Sequence, residues 1–493
     1  MNALIALLSR IPLDLLLVAL PLAGAALAAV WRSNRTRPWL LPVVGAGHAV
    51  LSLWLLFVPP PIAAGAWFAF DPIARAVLPA VSLLFLLCAL YGVSYLRVRA
   101  ERANRVFVAL LLAVLGLLSA GHMAGHLGLL WIATEGVTLA ALPLLHFSDT
   151  PRAYEATWKY LLVGGTGIAL SLLGSFCLGY ASLYGGGDGA GDLTFTALIA
   201  KGAVLSRPWV LTAWVLLLVG YGTKMGLAPM HTWKPDAYGE APGIVGAILA
   251  GGVTTVAFTA ILRVRAVVAA AGAGPIADRT LIAIGLFSLV VAALFLLGTR
   301  DFKRMLAYSS VEHMGILALA AGLGAPGLWA ALFHVWGNSV TKGALFLSAG
   351  NIRRAAGART MDEVGGMAML TPVSAAIFVA GMFAVTALPP FGPFFSELLI
   401  LRATFHTGHG LAGALFLGCL LFAFFGLTRV VFAIVDGRPR VATKVAGRRF
   451  SETSGVIVPP LILLGLSLWL GLALPDVLRD SWTAAVAQLY PAP

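Results

Sequence analysis

The sequence predicts an all-α polytopic membrane protein with about 14 transmembrane helices, two of which are broken inside the membrane. Hydrophobic residues make up 60% of the 493 residues and charged residues only 11%, whereas soluble proteins contain about 25% charged residues. Long apolar stretches recur along the whole chain. The net charge of +13 comes from basic residues in the short loops between them. These observations exclude a soluble enzyme, a nucleic-acid-binding protein and a disulfide scaffold.

The predicted spans follow from the length of the apolar segments, because crossing a bilayer requires about 20 apolar residues. The first segment lacks a small-residue cleavage site, so we expect it to be retained as a span and not removed as a signal peptide. The predicted limits are 11–31, 38–59, 72–96, 105–121, 123–147, 155–182, 207–230, 241–264, 279–299, 304–323, 326–350, 371–403, 410–434 and 455–475.

Basic residues divide the predicted loops into two alternating classes. Arginine and lysine cluster after spans one, three, nine, eleven and thirteen, whereas the loops at 60–70, 183–200 and 404–410 contain neither. Cytoplasmic loops of membrane proteins are enriched in these residues. We therefore predict that the odd-numbered loops face the cytoplasm and that both termini lie on the outer side. The expected membrane is the bacterial inner membrane. Three residues do not fit, because they flank an outer loop: Arg263, Arg265 and Arg279.

Two spans contain helix-breaking sequences, at 224–231 in span seven and at 387–393 in span twelve. Proline removes a backbone donor and clashes with the preceding turn, so each helix should unwind there. The two spans are five apart, and this odd offset reverses their direction in the membrane. Paired interruptions of this kind are typical of inverted-repeat transporters. The residues predicted to break the helices are Gly226, Pro229, Pro389 and Pro390.

Five ionisable residues lie near the middle of predicted spans or beside their breaks, where a charge costs at least about 2.5–3.5 kcal/mol. They are Glu135, Lys224, His334, Lys342 and Glu397. His334, Asn338 and Lys342 are spaced i, i+4, i+8, which places them on one face of a helix. This pattern indicates a row of proton-exchanging groups joined by water, in which Glu135 tunes the affinity of Lys224 for its proton. The structural alternative is that Glu135 and Lys224 form a buried ion pair.

Several other polar residues are secondary candidates for the same pathway. Asp236 and Glu240 follow the break in span seven and either cap span eight or guide protons. Glu312 and His313 either join the pathway or have a packing role. The full set of secondary candidates is His231, Asp236, Glu240, Glu312, His313, Asn338 and Thr255.

The sequence predicts no cofactor and no metal on this chain. The three cysteines are far apart in apolar segments and form no CxxC pair, so neither an iron–sulfur cluster nor a zinc site is expected. Nucleotide-binding motifs are also absent from the sequence. His122 and His126 are spaced i, i+4 near an outer loop, which fits a metal pair or, more simply, a role in proton exit.

Three stretches of the chain, at 224–242, 301–315 and 333–350, resemble the antiporter-like membrane subunits of respiratory complex I and of multisubunit cation/proton antiporters. The Ser-Val-Glu-His-Met-Gly segment in the second stretch is most similar to the F component of hydrogenase-4, of the formate hydrogenlyase type. The resemblance covers roughly residues 70–435. It implies two inverted five-helix repeats and a division into 1–104 (spans one to three), 105–265 (spans four to eight), 266–435 (spans nine to thirteen) and 436–493 (a basic loop and the last span).

The resemblance also implies functional roles for the five buried ionisable residues named above. Two positions depart from the family. Relatives often have a lysine or histidine in the middle of span eight, where this chain has Thr255. A hydroxyl group cannot store a proton near neutral pH, so either Lys342 or water takes over that link, or the coupling in this protein is weaker. Lys234 also departs, because relatives usually have an apolar residue at that position.

The predicted function is that of a proton-translocating membrane subunit of a multisubunit oxidoreductase of the hydrogenase-4 or complex I type. Its expected partners are the lipid bilayer, other membrane subunits and soluble redox subunits, with iron–sulfur, nickel–iron or other redox cofactors on those partners. No nucleic acid is expected. The alternatives are a cation/proton antiporter subunit that moves sodium ions, an energy-coupling subunit for uptake of inorganic carbon, a quinone-reducing subunit and a purely structural anchor.

Overall fold

The computed structural model describes residues 13–62, 65–99, 102–184, 191–439 and 450–490. Regular structure in these ranges is helical, and strand-like pairing is limited to three isolated bridges. The first two residues of the predicted span one, the glycine run at 185–190 and most of the basic loop after span thirteen lie outside the described residues.

The first six spans are continuous helices, and the next two are interrupted. Span seven consists of a helix, a break and a short second helix, and span eight contains a π-helical stretch at Leu249–Val253. The helices are α1 (Leu13–Val30), α2 (Leu40–Phe57), α3 (Pro72–Val98), α4 (Arg105–His122), α5 (Leu127–Leu145), α6 (Pro151–Tyr184), a short α7 (Phe195–Ala200), α8 (Arg207–Met225), α9 (Trp233–Glu240), α10 (Gly243–Ile248) and α11 (Thr254–Val268).

The remaining helices form spans nine to fourteen and a terminal helix. A second π-helical stretch, Ala269–Ala273, joins α11 to the next helix. The helices are α12 (Gly274–Gly298), α13 (Phe302–Gly322), α14 (Gly324–Ala356), a short α15 (Met367–Leu370), α16 (Pro372–Val385), α17 (Gly392–His406), α18 (Gly410–Val435), α19 (Ser454–Leu472) and α20 (Asp476–Leu489).

Each of the predicted spans has a helical counterpart in the described residues. By length and hydropathy alone, nine helical stretches there could cross a membrane. One of these is a 56-residue stretch, Gly243–Gly298, that joins α10, α11 and α12 through the π-helical turns and so contains two spans. The nine stretches do not include α8, α13, α14, α16 or α17. Lys224 lies in α8, Lys342 in α14 and Glu397 in α17.

Side-chain contacts gather the odd-numbered loops at one end of the bundle. Asp236, after span seven, pairs with Lys159 at 2.8 Å and with Arg304 at 2.5 Å. Glu240 pairs with Arg353 at 3.3 Å and with Arg359. We call this end, defined by the loops that contain these residues, the basic end. Which end faces the cytoplasm stays a prediction.

The even-numbered loops meet at the opposite end of the bundle. Backbone bridges join Phe68 to Ala124 and His126 to Thr194. Because the loops alternate between the two ends, α8 runs toward the basic end, whereas α16 and α17 run away from it. The two broken spans therefore have opposite directions, as inverted repeats require.

Two of the arginines that did not fit the predicted loop pattern are neutralised by ion pairs. Arg263 donates to both carboxylate oxygens of Asp71, at 2.5 and 2.9 Å. Arg265 donates to both oxygens of Asp278, at 2.9 and 2.8 Å. These arginines tie α11 to its neighbours, and paired charges of this kind do not indicate topology.

The terminal helix α20 was not expected from the sequence. Its 14 residues are too few for a span, since a span requires about 20. The helix packs on the opposite end of the bundle, where Trp482 stacks on Phe333 with ring centroids 5.3 Å apart. Gln488 donates to Asp71 at 3.1 Å. The helix therefore packs against the end of the bundle at which α3 begins.

Candidate functional site

The break in span seven leaves helix carbonyl groups inside the protein, and nearby side chains satisfy them. Gly226 ends α8 in the left-handed conformation with φ of 84°, and its N–H donates to Gly222 O at 2.8 Å. The Trp233 indole donates to Thr223 O at 2.9 Å. Lys234 Nζ donates to Met225 O at 2.7 Å. Unwound backbone at membrane depth requires internal partners of this kind.

Lys224 lies in the last turn of α8 and is 1% exposed. Its Nζ donates to Thr138 Oγ1 on α5 at 2.5 Å and lies 5.2 Å from the centre of the Tyr160 ring on α6. A Cβ atom at Gly164 would lie only 2.6 Å from this Nζ. The ammonium group therefore occupies a space that exists because residue 164 has no side chain.

Glu135 lies on α5, one turn before Thr138, and is partly exposed. Its Oε2 atom is buried and has no hydrogen-bond partner. Among the described residues Glu135 and Lys224 form no direct ion pair, although they lie within electrostatic reach of each other. The structural alternative of a buried Glu135–Lys224 ion pair therefore does not describe this geometry.

Lys342 is the counterpart of Lys224 in the second half of the chain. It is completely buried on α14, and its Nζ donates to Ser309 Oγ on α13 at 2.6 Å. The Ser309 hydroxyl lies 3.4 Å from Glu312 Oε2. Asn338, on the same helix as Lys342, is buried with neither amide atom hydrogen-bonded. Lys342 therefore connects to a carboxylate through one serine.

Two histidines and a carboxylate continue this polar region toward span twelve. His313 Nδ1 and His334 Nε2 are 2.8 Å apart, and His334 Nδ1 lies 2.9 Å from Ser396 Oγ on α17. The next residue, Glu397, is buried with both carboxylate oxygens unpartnered. Ligand atoms of His313, His334 and Glu397 all lie within 4.8 Å of one another, so they could hold a metal ion. The mutual bond between the histidines equally suits proton exchange.

The secondary candidates near the break lie around a cavity at the basic end. The cavity has a volume of about 490 Å³ and is lined by Asp236, Glu240 and Tyr308, among others. Both carboxylates are engaged in the ion pairs described above. The His231 ring lies 6.4 Å from the Tyr308 ring, and its Nδ1 is buried without a partner. His231 is therefore a buried residue close to Tyr308, which lines the cavity.

Thr255 has hydrogen-bond contacts with its own helix and with a histidine of α4. Its hydroxyl donates to Gly252 O at 2.6 Å and lies 3.2 Å from His122 Nε2. The backbone carbonyl of His122 in turn accepts from Arg263 at 2.8 Å. His126, by contrast, caps α5 by accepting from Gly128 N at 3.0 Å. The two histidines thus have separate surroundings, and Thr255 belongs to a polar column toward the opposite end.

Lys234 was not among the pathway residues predicted from the sequence. It is completely buried, and besides Met225 O it reaches Ser310 O on α13 at 3.4 Å. The available signal was a lysine next to a broken span, at a position where an apolar residue was expected. Sequence spacing alone did not show that its side chain points into the bundle.

Comparisons with known proteins place this geometry in context. Residues 124–422 match the family described as NADH:quinone oxidoreductase/Mrp antiporter, transmembrane region. The chain is 33% identical over 430 residues to a hydrogenase-4 component F homolog of Methylacidiphilum infernorum, covering 86% of this chain and 90% of the relative. It is 31% identical over 459 residues to NADH-quinone oxidoreductase subunit N of Desulforudis audaxviator, covering 90% and 86%.

A solved structure shares the fold over nearly the whole length. A chain of the Mrp complex from a Dietzia species superposes with a TM-score of 0.85 at 23% sequence identity, covering 98% of each chain. At that identity the likeness concerns the fold alone.

Proposed function

Because the chain belongs to the NADH:quinone oxidoreductase/Mrp antiporter family of membrane subunits, we propose that it translocates protons as a membrane subunit of a multisubunit oxidoreductase complex. The single observation that supports this function best is the set of ionisable groups inside the bundle, on the two broken spans and on the helices beside them. Buried ionisable groups in a membrane are costly and mark ion pathways.

The pathway in the first half of the chain consists of Glu135 and Lys224. The Thr138 hydroxyl accepts from Lys224 and lies one turn along α5 from Glu135. A change in the charge of Glu135 alters the stability of the ammonium form of Lys224 without breaking an ion pair, since a nearby opposite charge favours the charged state. Lys224 can thus gain or release its proton when its electrostatic surroundings change.

The pathway in the second half leads from Lys342 to Glu397. Lys342 exchanges a proton with Glu312 through the hydroxyl of Ser309, which contacts both residues. His334 lies beside Glu397. The imidazole ring has one donor and one acceptor in its neutral form, so it can pass a proton along. Glu397 then serves as the terminal carboxylate of the row.

The cavity at the basic end provides a route for proton uptake. Its lining includes Asp236 and Tyr308, and His231 lies behind Tyr308. We assign Asp236 and Glu240 mainly to the ion-pair network that holds α9 in place. His122 and Thr255 form part of a polar column that leads to the opposite end, where a proton leaves.

The two halves of the pathway correspond to the proposed division of the chain. Residues 105–265 form the first repeat and residues 266–435 the inverted second repeat, preceded by 1–104 and followed by 436–493. The complex is of the hydrogenase-4 type in this proposal, because component F of that system gives the match at 33% identity. Iron–sulfur and nickel–iron or other redox cofactors belong to the partner subunits. The membrane is the bacterial inner membrane, with the basic end facing the cytoplasm.

A cation/proton antiporter subunit is the second candidate function. One observation favours it, namely that both oxygens of Glu397 lack a partner, because free carboxylate oxygens also suit a metal cation such as sodium. Sodium-dependent proton flux would support this candidate over the first.

The experiment that tests the proposal begins with gentle solubilisation of the tagged protein from its native membrane. Mass spectrometry should identify a hydrogenase-like large subunit and iron–sulfur proteins among the co-purifying chains. The same preparation, reconstituted in vesicles with an imposed potassium diffusion potential, should admit protons without sodium. Recovery of small membrane subunits only, together with sodium-dependent flux, would contradict the oxidoreductase assignment.

A further inference from the structure

Lys234 occupies the gap of the broken seventh span. Its side chain is completely buried, and its Nζ donates to Met225 O at 2.7 Å. A Cβ atom at Gly226 would lie 2.7 Å from this Nζ and 2.6 Å from Cδ. The side chain therefore passes over a glycine in the left-handed conformation and reaches the end of α8.

The ammonium group of Lys234 lies between the two halves of the pathway. On one side it contacts the carbonyl of Met225, the residue next to Lys224. On the other side it contacts the carbonyl of Ser310 at 3.4 Å, next to the serine that accepts from Lys342. Lys234 and Lys342 also lie within electrostatic reach of each other.

Capping of α8 alone does not explain a lysine at this position. A neutral amide or indole can satisfy a helix carbonyl, as Trp233 does for Thr223 O at 2.9 Å. Burial of an ammonium ion without a counter-ion is costly. Among the described ion pairs, Lys234 has no carboxylate partner. Because the ammonium form of Lys234 is costly, it should exist only transiently, as in a group that gains and loses a proton.

From this geometry, and resting on the proposed function, we propose that Lys234 is a third proton-exchanging lysine that links Lys224 to Lys342. A proton leaves the Lys224 ammonium, which becomes a neutral amine, and joins the neutral amine of Lys234. It then passes to the amine of Lys342 and leaves Lys234 neutral again. Like charges repel, so Lys234 and Lys342 do not readily hold a proton at the same time, and the two halves are coupled.

The groups around Lys234 fit this role. His231 lies within electrostatic reach of Lys234, and its ring lies 6.4 Å from the ring of Tyr308, which lines the cavity at the basic end. The Tyr238 ring lies 5.6 Å from Lys234 Nζ and can stabilise the ammonium form by a cation–π interaction. Lys234 thus lies where the route from the cavity meets the row of buried groups.

The test uses two substitutions that keep a donor at the capped carbonyl. Lys234→Gln and Lys234→Arg can both donate to Met225 O, but neither can exchange a proton near neutral pH, because the amide does not titrate and the guanidinium does not deprotonate. Both variants should assemble, and both should reduce proton flux through the reconstituted complex at least tenfold under an imposed potential. Flux equal to wild type in either assembled variant would overturn the proposal.

A matched control is available in a second buried lysine. Lys303 is 1% exposed, and its Nζ also donates to backbone carbonyls, those of Gly239 at 3.2 Å and Ala241. Lys303→Gln should keep its flux per assembled complex, since it makes the same change at a buried lysine outside the row. Equal losses in Lys303→Gln and Lys234→Gln would assign Lys234 a structural role and overturn the proposal.

A reference variant separates the two proposals. If Lys224→Gln abolishes flux and both Lys234 variants conduct normally, the lysine link fails and the proposed function stands. If Lys224→Gln conducts normally, the proposed proton pathway itself fails.

Discussion

Gly164→Ala should reduce proton flux without unfolding the protein. The added Cβ atom would lie 2.6 Å from Lys224 Nζ and 3.6 Å from its Cε. Non-bonded heavy atoms prefer a separation of about 3.5–4.0 Å, so the ammonium group has to move by about 1 Å. Because this group is the end of a flexible side chain, it can move while α5, α6 and α8 stay packed.

The size of the effect follows from the hydrogen bond that is lost. Movement of Lys224 Nζ breaks its 2.5 Å bond to Thr138 Oγ1. A hydrogen bond to a charged group contributes about 1.5–3 kcal/mol. Since 1.36 kcal/mol corresponds to a tenfold change in an equilibrium, the protonation balance at this site changes by about 10- to 150-fold. We expect a decrease of at least tenfold in proton flux, measured with a pH-sensitive dye in vesicles that contain the reconstituted complex.

Gly165→Ala is the matched control for this experiment. A Cβ atom at Gly165 would have no neighbour within 4 Å. Both substitutions raise helix propensity by about 0.8–1.0 kcal/mol, so that effect cancels in the comparison. Wild-type flux in Gly164→Ala, or equal losses in the two variants, would refute the argument that the position of the Lys224 ammonium controls proton transfer.

Two further predictions concern a buried ion pair and the cluster of histidines. Asp71→Asn breaks the buried pair with Arg263, which should cost about 3–5 kcal/mol and lower the unfolding temperature of the purified protein by several degrees. Asp476→Asn, in an exposed pair, should leave the unfolding temperature unchanged. Equal unfolding temperatures of the two variants would contradict a stabilising role of the Asp71–Arg263 pair. The metal content of the complex should be the same in wild type and in His334→Ala, because the facing histidine nitrogens bond to each other and the positive charge of Lys342 lies near. A stoichiometric metal that is present only in the wild type would show that the cluster is a metal site.

The sequence was sufficient for the helical fold and for the positions of the breaks, because these depend on local properties. Apolar length predicts spans, and glycine and proline predict where a helix stops. Helix α8 ends at Met225, before the left-handed residue Gly226, and α17 begins at Gly392, so both interruptions lie in the segments that were expected to unwind.

Contacts between distant residues could not be predicted in the same way. The pair of Arg263 and Asp71 joins residues 192 positions apart, and the contact of His122 with Thr255 joins residues 133 apart. Such pairs depend on how the helices pack and rotate. For the same reason the sequence indicated the row of buried charges but not that Lys234 lies within it, since the direction of its side chain is set by the unwound backbone before it.

The central claim is that protons cross this protein through a row of buried groups that includes Lys224. The most direct measurement is proton flux under an imposed potential in vesicles that contain either the wild-type complex or Lys224→Gln, at equal amounts of assembled protein. The account predicts flux in the wild type and its loss in the variant, with the same subunits co-purifying in both cases. Equal flux in the two preparations would contradict it.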